Sequence, residues 1–431
     1  MADPQWQTSA QLADKTRHKV ALRILPFLFV LYIFNYLDRT SVAYAAIGMA
    51  RDLHFSDRVF GLGSGIFFLG YVALQIPGAL LVERWSARRV ISGTLVIWGA
   101  MTVLTALVQT PVELYAARFV LGSAEAGFFP GVIVYLSHWF TQQDRAKSTS
   151  NFMAAIPLSF VIGSPIAGLI LGYRFFGISG WRWLFICEGL PAILLGAIAF
   201  CFLTDLPREA KWLHPEQQQW LQEKLSAEKS GKVHTSSVGQ ALRSPIVLLL
   251  AAICFLNYFG YYSFLFALPT MLKRMSGLSD LNVGLLGALP YVALLIAFLV
   301  NGWHSDQVRE RRWHCTIPCM IGATGLFGLA THPNSVGLII GFVTLATLGS
   351  SYLPAMWAIP TEVLGASAAA AAVGLVNATG SFAGFVGPYL FAYINSRAGS
   401  FTYGLLLIAS TALAAGLLTL AIPKRNAVDA G

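Results

Sequence analysis

From Leu22 onward the chain is a succession of apolar stretches separated by short polar breaks. Each stretch is about as long as a helix that spans a bilayer, which needs roughly 20 apolar residues. The pattern predicts helices over 22–47, 60–82, 90–109, 113–138, 148–172 and 182–204, then over 245–271, 282–302, 315–331, 336–358, 367–394 and 400–422. A polar segment from Asp205 to Arg243 divides them into two sets of six. The expected architecture is an all-α membrane protein of twelve transmembrane helices in two pseudo-symmetric six-helix bundles. The bundles are residues 1–204 and 244–431, joined by a linker over 205–243. Strands of a membrane β-barrel alternate over about ten residues, and these stretches run longer. The first apolar run is too long for a cleavable signal, so helix 1 is expected to be an uncleaved anchor.

Composition agrees with this reading: 56% of the 431 residues are hydrophobic, 11% are charged, and mean hydropathy is +0.64. A soluble domain carries about 25% charge. The net charge of +9 is a topology signal and not a nucleic-acid site, because the bases are unevenly shared between alternate sides. Of the lysines and arginines, 20 fall on the side of the termini, the linker and the loops after helices 2, 4 and 8, and 7 on the other. Both termini and the linker are therefore expected in the cytoplasm. The remaining two, Arg39 and Arg118, lie inside helices. Five cysteines sit in or beside apolar helices. Cys315 and Cys319 share a face, but have no histidine or carboxylate partner to make a metal site.

Within the linker, Pro215 to Leu225 reads as a short amphipathic helix. Leu213, Trp220, Leu221 and Leu225 are expected to rest on the membrane surface or on the bundle. The breaks after helices 2 and 8 resemble each other. One runs from Gly78 through Glu83, Arg84, Arg88 and Arg89; the other from Gly302 through Asp306, Arg309, Arg311 and Arg312. Such internal repeats are a hallmark of transporter folds. An acid beside paired arginines at the membrane surface can latch one closed conformation, which makes Glu83, Arg84, Arg88, Asp306 and Arg311 candidate latch residues. Gly61 and Gly65, Gly168 and Gly172, and Gly380 and Gly384 are small-xxx-small pairs that allow close helix packing.

The chemistry lies in charges inside helices. Leu22 to Leu37 is too short to span, so helix 1 must continue past Asp38 and Arg39 and bury both. A charge at the bilayer centre costs at least about 2.5–3.5 kcal/mol and normally marks an ion or substrate path. Helix 4 carries Arg118 and Glu125, two turns apart on one face and about 10.5 Å apart along the axis, too far to satisfy each other. Two acids and two bases suggest a charged cavity between helices 1 and 4. Arginine holds a carboxylate bidentately and stays charged; a carboxylic acid out of water can load and release protons. Together they suit symport of an organic anion with protons. The competing structural role is a pair of buried ion pairs locking helices 1 and 4, which rarely adds net stability.

Helix 10, Gly341 to Pro354, echoes helix 4 with both charges absent. Its side of the pocket is expected to offer Trp357, with Asn377 and Ser381 from helix 11. Tyr71 on helix 2, and Asn257 and Tyr261 on helix 7, are further candidates. The neighbourhood of Trp357 (Pro354, Ala355, Met356, Ala358) is poor in hydrogen-bonding groups, as is Met153 to Pro157. A compact acid, either a short hydroxy-dicarboxylate such as tartrate or a small aromatic acid stacked on Trp357, therefore fits better than a polyhydroxylated sugar acid, since each unpaired buried hydroxyl costs roughly 1–3 kcal/mol.

The six-plus-six pattern and the paired loop motif resemble the major facilitator superfamily over essentially the whole chain. Asn35-Tyr-Leu-Asp38-Arg39, the helix 4 string from Arg118 to Gly131, and Trp181-Arg-Trp-Leu-Phe-Ile-Cys-Glu188-Gly-Leu-Pro191 are similar to its anion:cation symporters. Those include tartrate, phthalate, hydroxyphenylacetate and sugar-acid permeases and the vesicular glutamate and sialic acid transporters. The strings Ala154 to Pro165 and Gly302 to His314 look most like the tartrate-type branch. The first loop motif departs from the family in having Glu83 and Ser86. The resemblance implies proton-coupled uptake of a small organic anion by alternating access, across a bacterial inner membrane. It implies protonation at Asp38 and Glu125, with Arg118 supporting the helix 4 acid, and anion binding at Arg39. It places pocket positions at Tyr36, Tyr71, Trp357 and Asn377. The partners implied are a small organic acid, protons and the lipid bilayer, with a monomeric protein and no cofactor beyond the coupling proton. The nearest rival is a drug–proton antiporter, faintly suggested by Gly163-Ser-Pro165 and disfavoured by two intramembrane arginines. A sensor lacks an output domain here, and an enzyme a nucleophile–base pair or phosphate loop.

Overall fold

The computed structural model describes residues 4–141, 144, 148, 152–230, 244–363 and 366–422. Side chains are described for these except at 4–10, 76, 79, 83, 229–230, 360–363 and 366–372. In chain order the elements are α1 (Pro4–Asp52), α2 (Asp57–Arg84), α3 (Ala87–Thr105), α4 (Pro111–Glu125), α5 (Phe128–Trp139) and α6 (Ala155–Leu171). A hairpin of β1 (Arg174–Phe175) and β2 (Ile178–Ser179) leads to α7 (Gly180–Phe202) and the linker helix α8 (Pro215–Ser230). Then come α9 (Pro245–Ser276), α10 (Asp280–Val308), α11 (Arg312–Ala330), α12 (Val336–Leu348), α13 (Leu353–Val363), α14 (Ala366–Ala398) and α15 (Thr402–Thr419).

Ten spans among the described residues are long and apolar enough to cross a membrane, α4–α5 and α12–α13 each counting as one. The expected twelve requires two more: α6, an apolar helix of 17 residues, and α14, of 33. Ser86 and Thr110 cap α3 and α4. Thr110 does so in a reciprocal box with Glu113 ahead of Pro111, which starts α4 where its apolar face begins.

Two predicted helices are broken. The span 113–138 divides at Ala126–Gly127, and 336–358 passes through a 3-10 turn, Gly349–Tyr352. Each break lies just upstream of a proline, Pro130 or Pro354, which removes an N–H and crowds the carbonyl four residues back. The likeness of helices 4 and 10 in sequence is thus a shared kink as well.

Helix α1 is longer than the predicted 22–47, because its first turns have something to pack on. Thr16 and Val20 are buried, and Arg17 pairs with Asp144 at 3.2 Å and lies over Trp220 of α8. Leu213, Leu221 and Leu225 are buried and Trp212 stacks on Trp139, so the described part of the linker packs on the bundle.

The first and second sets of helices meet along α2 against α14 and α6 against α10. Small residues permit it. A side chain at Gly65 would meet the Phe385 carbonyl at 2.7 Å, and one at Gly168 would meet the Gly284 Cα at 2.8 Å. Gly61 and Gly384 face the opposite set in the same way, and Gly380 packs on Tyr258. Gly172 does not belong with them: it has only its own helix nearby.

The seam also carries ion pairs. Arg51 reaches Asp280 at 2.6 Å, with Lys273 on the same carboxylate at 2.7 Å, and Arg274 holds Asp57 through two hydrogen bonds of 2.6 and 2.7 Å. If these faces must separate and rejoin during function, Gly168→Leu should leave a correctly inserted protein that cannot close this end. Uptake should fall at least tenfold at normal expression, and Gly168→Ala should fall between; wild-type uptake in the leucine variant would show that the contact is dispensable.

Candidate functional site

Helix α1 brings Asn35, Asp38 and Arg39 to the middle of the first set, and α4 brings Arg118 and Glu125 to meet them. All four charged side chains are buried, Glu125 and Arg118 completely. As their separation along α4 requires, Arg118 and Glu125 do not satisfy each other. Glu125 Oε2 instead accepts from Asn35 Nδ2 at 2.8 Å and from Arg39 Nη2 at 3.0 Å. Glu125 can be reached from α1 because it is the last residue of α4, just before the break at Gly127. Asp38 Oδ1 accepts from the Thr102 hydroxyl of α3 at 2.6 Å.

Arg118 has no hydrogen-bond partner among the described residues; its opposite charges are Asp38 and Glu125. Its guanidinium lies 4.7 Å from the centre of the Phe67 ring. The same ring is 5.3 Å from Arg39, which also faces the rings of Tyr36 at 5.2 Å and Tyr71 at 5.1 Å. A desolvated cation over an aromatic face gains about 2 kcal/mol, a useful offset where burying an ion costs several. Two glycines make the arrangement possible: Gly70 lies against the Phe119 carbonyl, and Gly122 against the carbonyl of Phe67 itself. Any larger residue would push α2, and with it Phe67, away from α4.

Next to this cluster is a cavity of about 50 Å³ between the two sets of helices. Tyr36, Arg39 and Tyr71 line it from one side, and Tyr261, Trp357, Asn377 and Ser381 from the other. Seven of the eight residues expected in the pocket therefore face one space, Asn257 being the exception. The charged cavity expected between helices 1 and 4 is different in detail: of the four charges only Arg39 is in the wall, with Asp38, Arg118 and Glu125 behind it. Asn257 does not face the cavity; its Oδ1 accepts from the Cys319 thiol at 3.3 Å.

Tyr32, Tyr258 and Tyr262 also line the space, so the wall holds six tyrosines. The expected poverty of hydrogen-bonding groups is thus corrected, because tyrosines two turns or a whole helix away in sequence converge here. Asn35, Thr102 and Phe67 were likewise not singled out. The first is inside the helix 1 motif, but the other two are a threonine and a phenylalanine in apolar helices, with no signal of their own.

The candidate latch residues are dispersed. Asp306 pairs with Arg311 at 2.6 Å inside its own loop, where Arg311 also donates to Ser305. The Arg88 backbone N–H and the Ser86 hydroxyl both donate to Asp205, at 2.8 and 2.7 Å, and the Arg88 guanidinium lies over Phe200. Arg84 is exposed, and the Glu83 side chain lies outside the described residues. Among the described residues, the ion pairs that join the two sets are those at Asp57 and Asp280, on the opposite side by the charge count.

The family model of the Major Facilitator Superfamily matches residues 28–388 and, in a second match, 250–429. The chain belongs to that superfamily. Membership makes it a multi-pass membrane transporter and not an enzyme, and accounts for the helical fold. A relative from Agrobacterium vitis named "Putative tartrate transporter" is 39% identical over 98% of both chains. A "Quinolone resistance transporter" from Acinetobacter baumannii is 33% identical over 93% of both. Among solved superfamily structures, the E. coli xylose transporter XylE in a partially occluded inward open conformation superposes with a TM-score of 0.76. It covers 94% of this chain and 98% of that one at 16% identity.

Because one ring serves both arginines, Phe67→Leu should remove the aromatic face at nearly constant bulk. The detergent-solubilised variant is expected to unfold at lower temperature than wild type, with a loss of about 2 kcal/mol. An unchanged melting curve would mean that the ring only fills space.

Proposed function

We propose that this transporter is a proton-coupled symporter that carries a small organic anion into a bacterial cell across the inner membrane. The observation that carries the reading is the position of Arg39: it faces the cavity and is at the same time the hydrogen-bond donor to buried Glu125. A substrate carboxylate entering the cavity competes with Glu125 for that guanidinium. Protonation of Glu125 removes its claim on Arg39, so proton and anion load together. Asp38 and Arg118 complete the charge cluster around Glu125. The two six-helix bundles, 1–204 and 244–431, rock about the cavity. The Asp57 and Asp280 ion pairs close it on the periplasmic side, and the loops of Glu83 and Asp306 act on the cytoplasmic side.

For the substrate, a short hydroxy-dicarboxylate such as tartrate fits best. One carboxylate goes to Arg39, and the hydroxyls and second carboxylate go to Asn377, Ser381 and tyrosine hydroxyls. The name of the Agrobacterium relative supports this. The aromatic wall and the Acinetobacter relative favour a second reading, export of a flat aromatic compound against protons. The direction of proton movement relative to substrate separates them.

In proteoliposomes with the outside acid, Glu125→Gln, which mimics the protonated acid, should abolish accumulation while sparing exchange of internal for external substrate. Accumulation against a gradient by Glu125→Gln would remove Glu125 from the proton site. Arg39→Lys keeps the charge and loses the planar fork, so substrate affinity should fall at least tenfold, and Arg39→Ala should not bind at all. Tartrate, hydroxyphenylacetate and a six-carbon sugar acid should be run as competitors alongside. Strong competition by the sugar acid alone would overturn the compact substrate.

A further inference from the structure

We propose that Glu188 is a third proton-binding carboxyl of this transporter, placed where α1, α3 and α7 meet between the periplasmic surface and Asp38. The proposal rests on the symport reading and adds to it the route by which protons arrive. Glu188 is an acid inside the membrane-spanning helix α7, only 9% exposed, and its Oε2 has no hydrogen-bond partner among the described residues. Its neighbours are on α1: Asp38 and the Ser41 hydroxyl, with Tyr44 one turn further. Ser41 is one turn from Asp38, about 4.5 Å along the axis, and donates to the Asp38 carbonyl at 2.7 Å.

The three helices are held tightly here. A side chain at Gly48 would come within 2.8 Å of Trp181, and the Trp181 indole N–H donates to Asp52 at 2.9 Å, where Ser179 and Arg174 also converge. Side chains at Gly99 of α3 and Gly189 of α7 would each strike the other's carbonyl, at 2.7 and 2.6 Å. Thr102, one turn from Gly99, holds Asp38. Glu188 is thus fixed beside Asp38 on the side of the polar Asp52 cluster, away from the aromatic cavity.

Charge balance gives this placement its meaning. Among the described residues of the first set of helices, Arg39 and Arg118 are the buried bases, whereas Asp38, Glu125 and Glu188 are three buried acids. Arg39 is committed to Glu125, and no base is among the charged neighbours of Glu188. Around it are Asp38, Ser41 and Tyr44 of α1 and Cys187 of its own helix, one acid, two hydroxyls and a thiol. Two carboxyls so placed out of water share one proton more readily than both ionise. In the transfer step, the O–H bond on Glu188 breaks as one forms on Asp38. Glu188 is left as a carboxylate and regains a proton from water on the Asp52 side. Protons and anion thereby enter by separate paths, the α1–α3–α7 junction and the cavity, and meet at Asp38 and Glu125.

Glu188→Gln keeps the size and polarity of the side chain but cannot carry a proton; Glu188→Asp keeps the acid. Labelled tartrate and an internal pH dye in proteoliposomes read both fluxes. The expected result for Glu188→Gln is counterflow within twofold of wild type and an unchanged half-saturating tartrate concentration. Uptake driven by the pH gradient, and tartrate-dependent proton entry, should both fall at least tenfold, with partial recovery in Glu188→Asp. Wild-type proton entry in Glu188→Gln, or parallel loss of counterflow and proton entry, would overturn the proposal in favour of a structural side chain. Tartrate counterflow without proton entry in the wild type would instead overturn the symport reading, and this proposal with it.

Discussion

The interaction on which the rest of the site depends is the buried contact between Arg39 and Glu125, 3.0 Å long and sealed from solvent on the acid's side. Taking two such ions out of water costs several kcal/mol each, and their attraction repays it only when the remaining donors and acceptors are satisfied. Much of the local architecture supplies that satisfaction. Asn35 gives Glu125 a second donor, and three aromatic faces surround Arg39. The glycines at 70 and 122 bring α2 close enough for Phe67 to serve Arg39 and Arg118 together. The end of α4 at Glu125 leaves the acid at a helix terminus that Pro130 prevents from continuing. A pair assembled with this much support and still facing a cavity on one side is poised to exchange partners.

The proposed alternating access needs two ends that can each close, and in the structure the helix sets meet at one of them. Its seam combines backbone approaches that only glycine permits, as between Gly168 and Gly284, with ion pairs at Asp57 and Asp280. Asp57 and Arg274 are partly exposed, so their pair is worth about 0–1 kcal/mol and sets register more than it holds the seam shut; Asp280 is buried and shared by Arg51 and Lys273.

The spans were legible because apolar length is dictated by the bilayer, and Asp38, Arg39, Arg118 and Glu125 because a charge there is costly wherever the chain goes. The same rule applied to acids as strictly as to bases marks Glu188 in sequence as well; its position only two turns from the start of α7 makes it look interfacial. Convergence was legible in part: seven of the eight expected pocket residues do line one cavity, but Asn257 turns away to Cys319, and Tyr32, Tyr258 and Tyr262 join only through packing. Phe67 and Thr102 carry no local signal, since nothing in an apolar helix says which phenylalanine lies under an arginine. The ionic ties between the sets escaped notice because Asp57 and Arg274 are ordinary loop charges until the fold brings them together.

The central claim is that anion binding at Arg39 and proton uptake at Glu125 are one event. The most direct measurement is calorimetric titration of the purified protein with the transported acid, near neutral pH, in a series of buffers with different ionisation enthalpies. The dependence of the observed enthalpy on the buffer gives the number of protons taken up on binding. The account predicts net proton uptake approaching one per anion bound in wild type and close to none in Glu125→Gln. Binding of equal affinity with no proton uptake in wild type would contradict it.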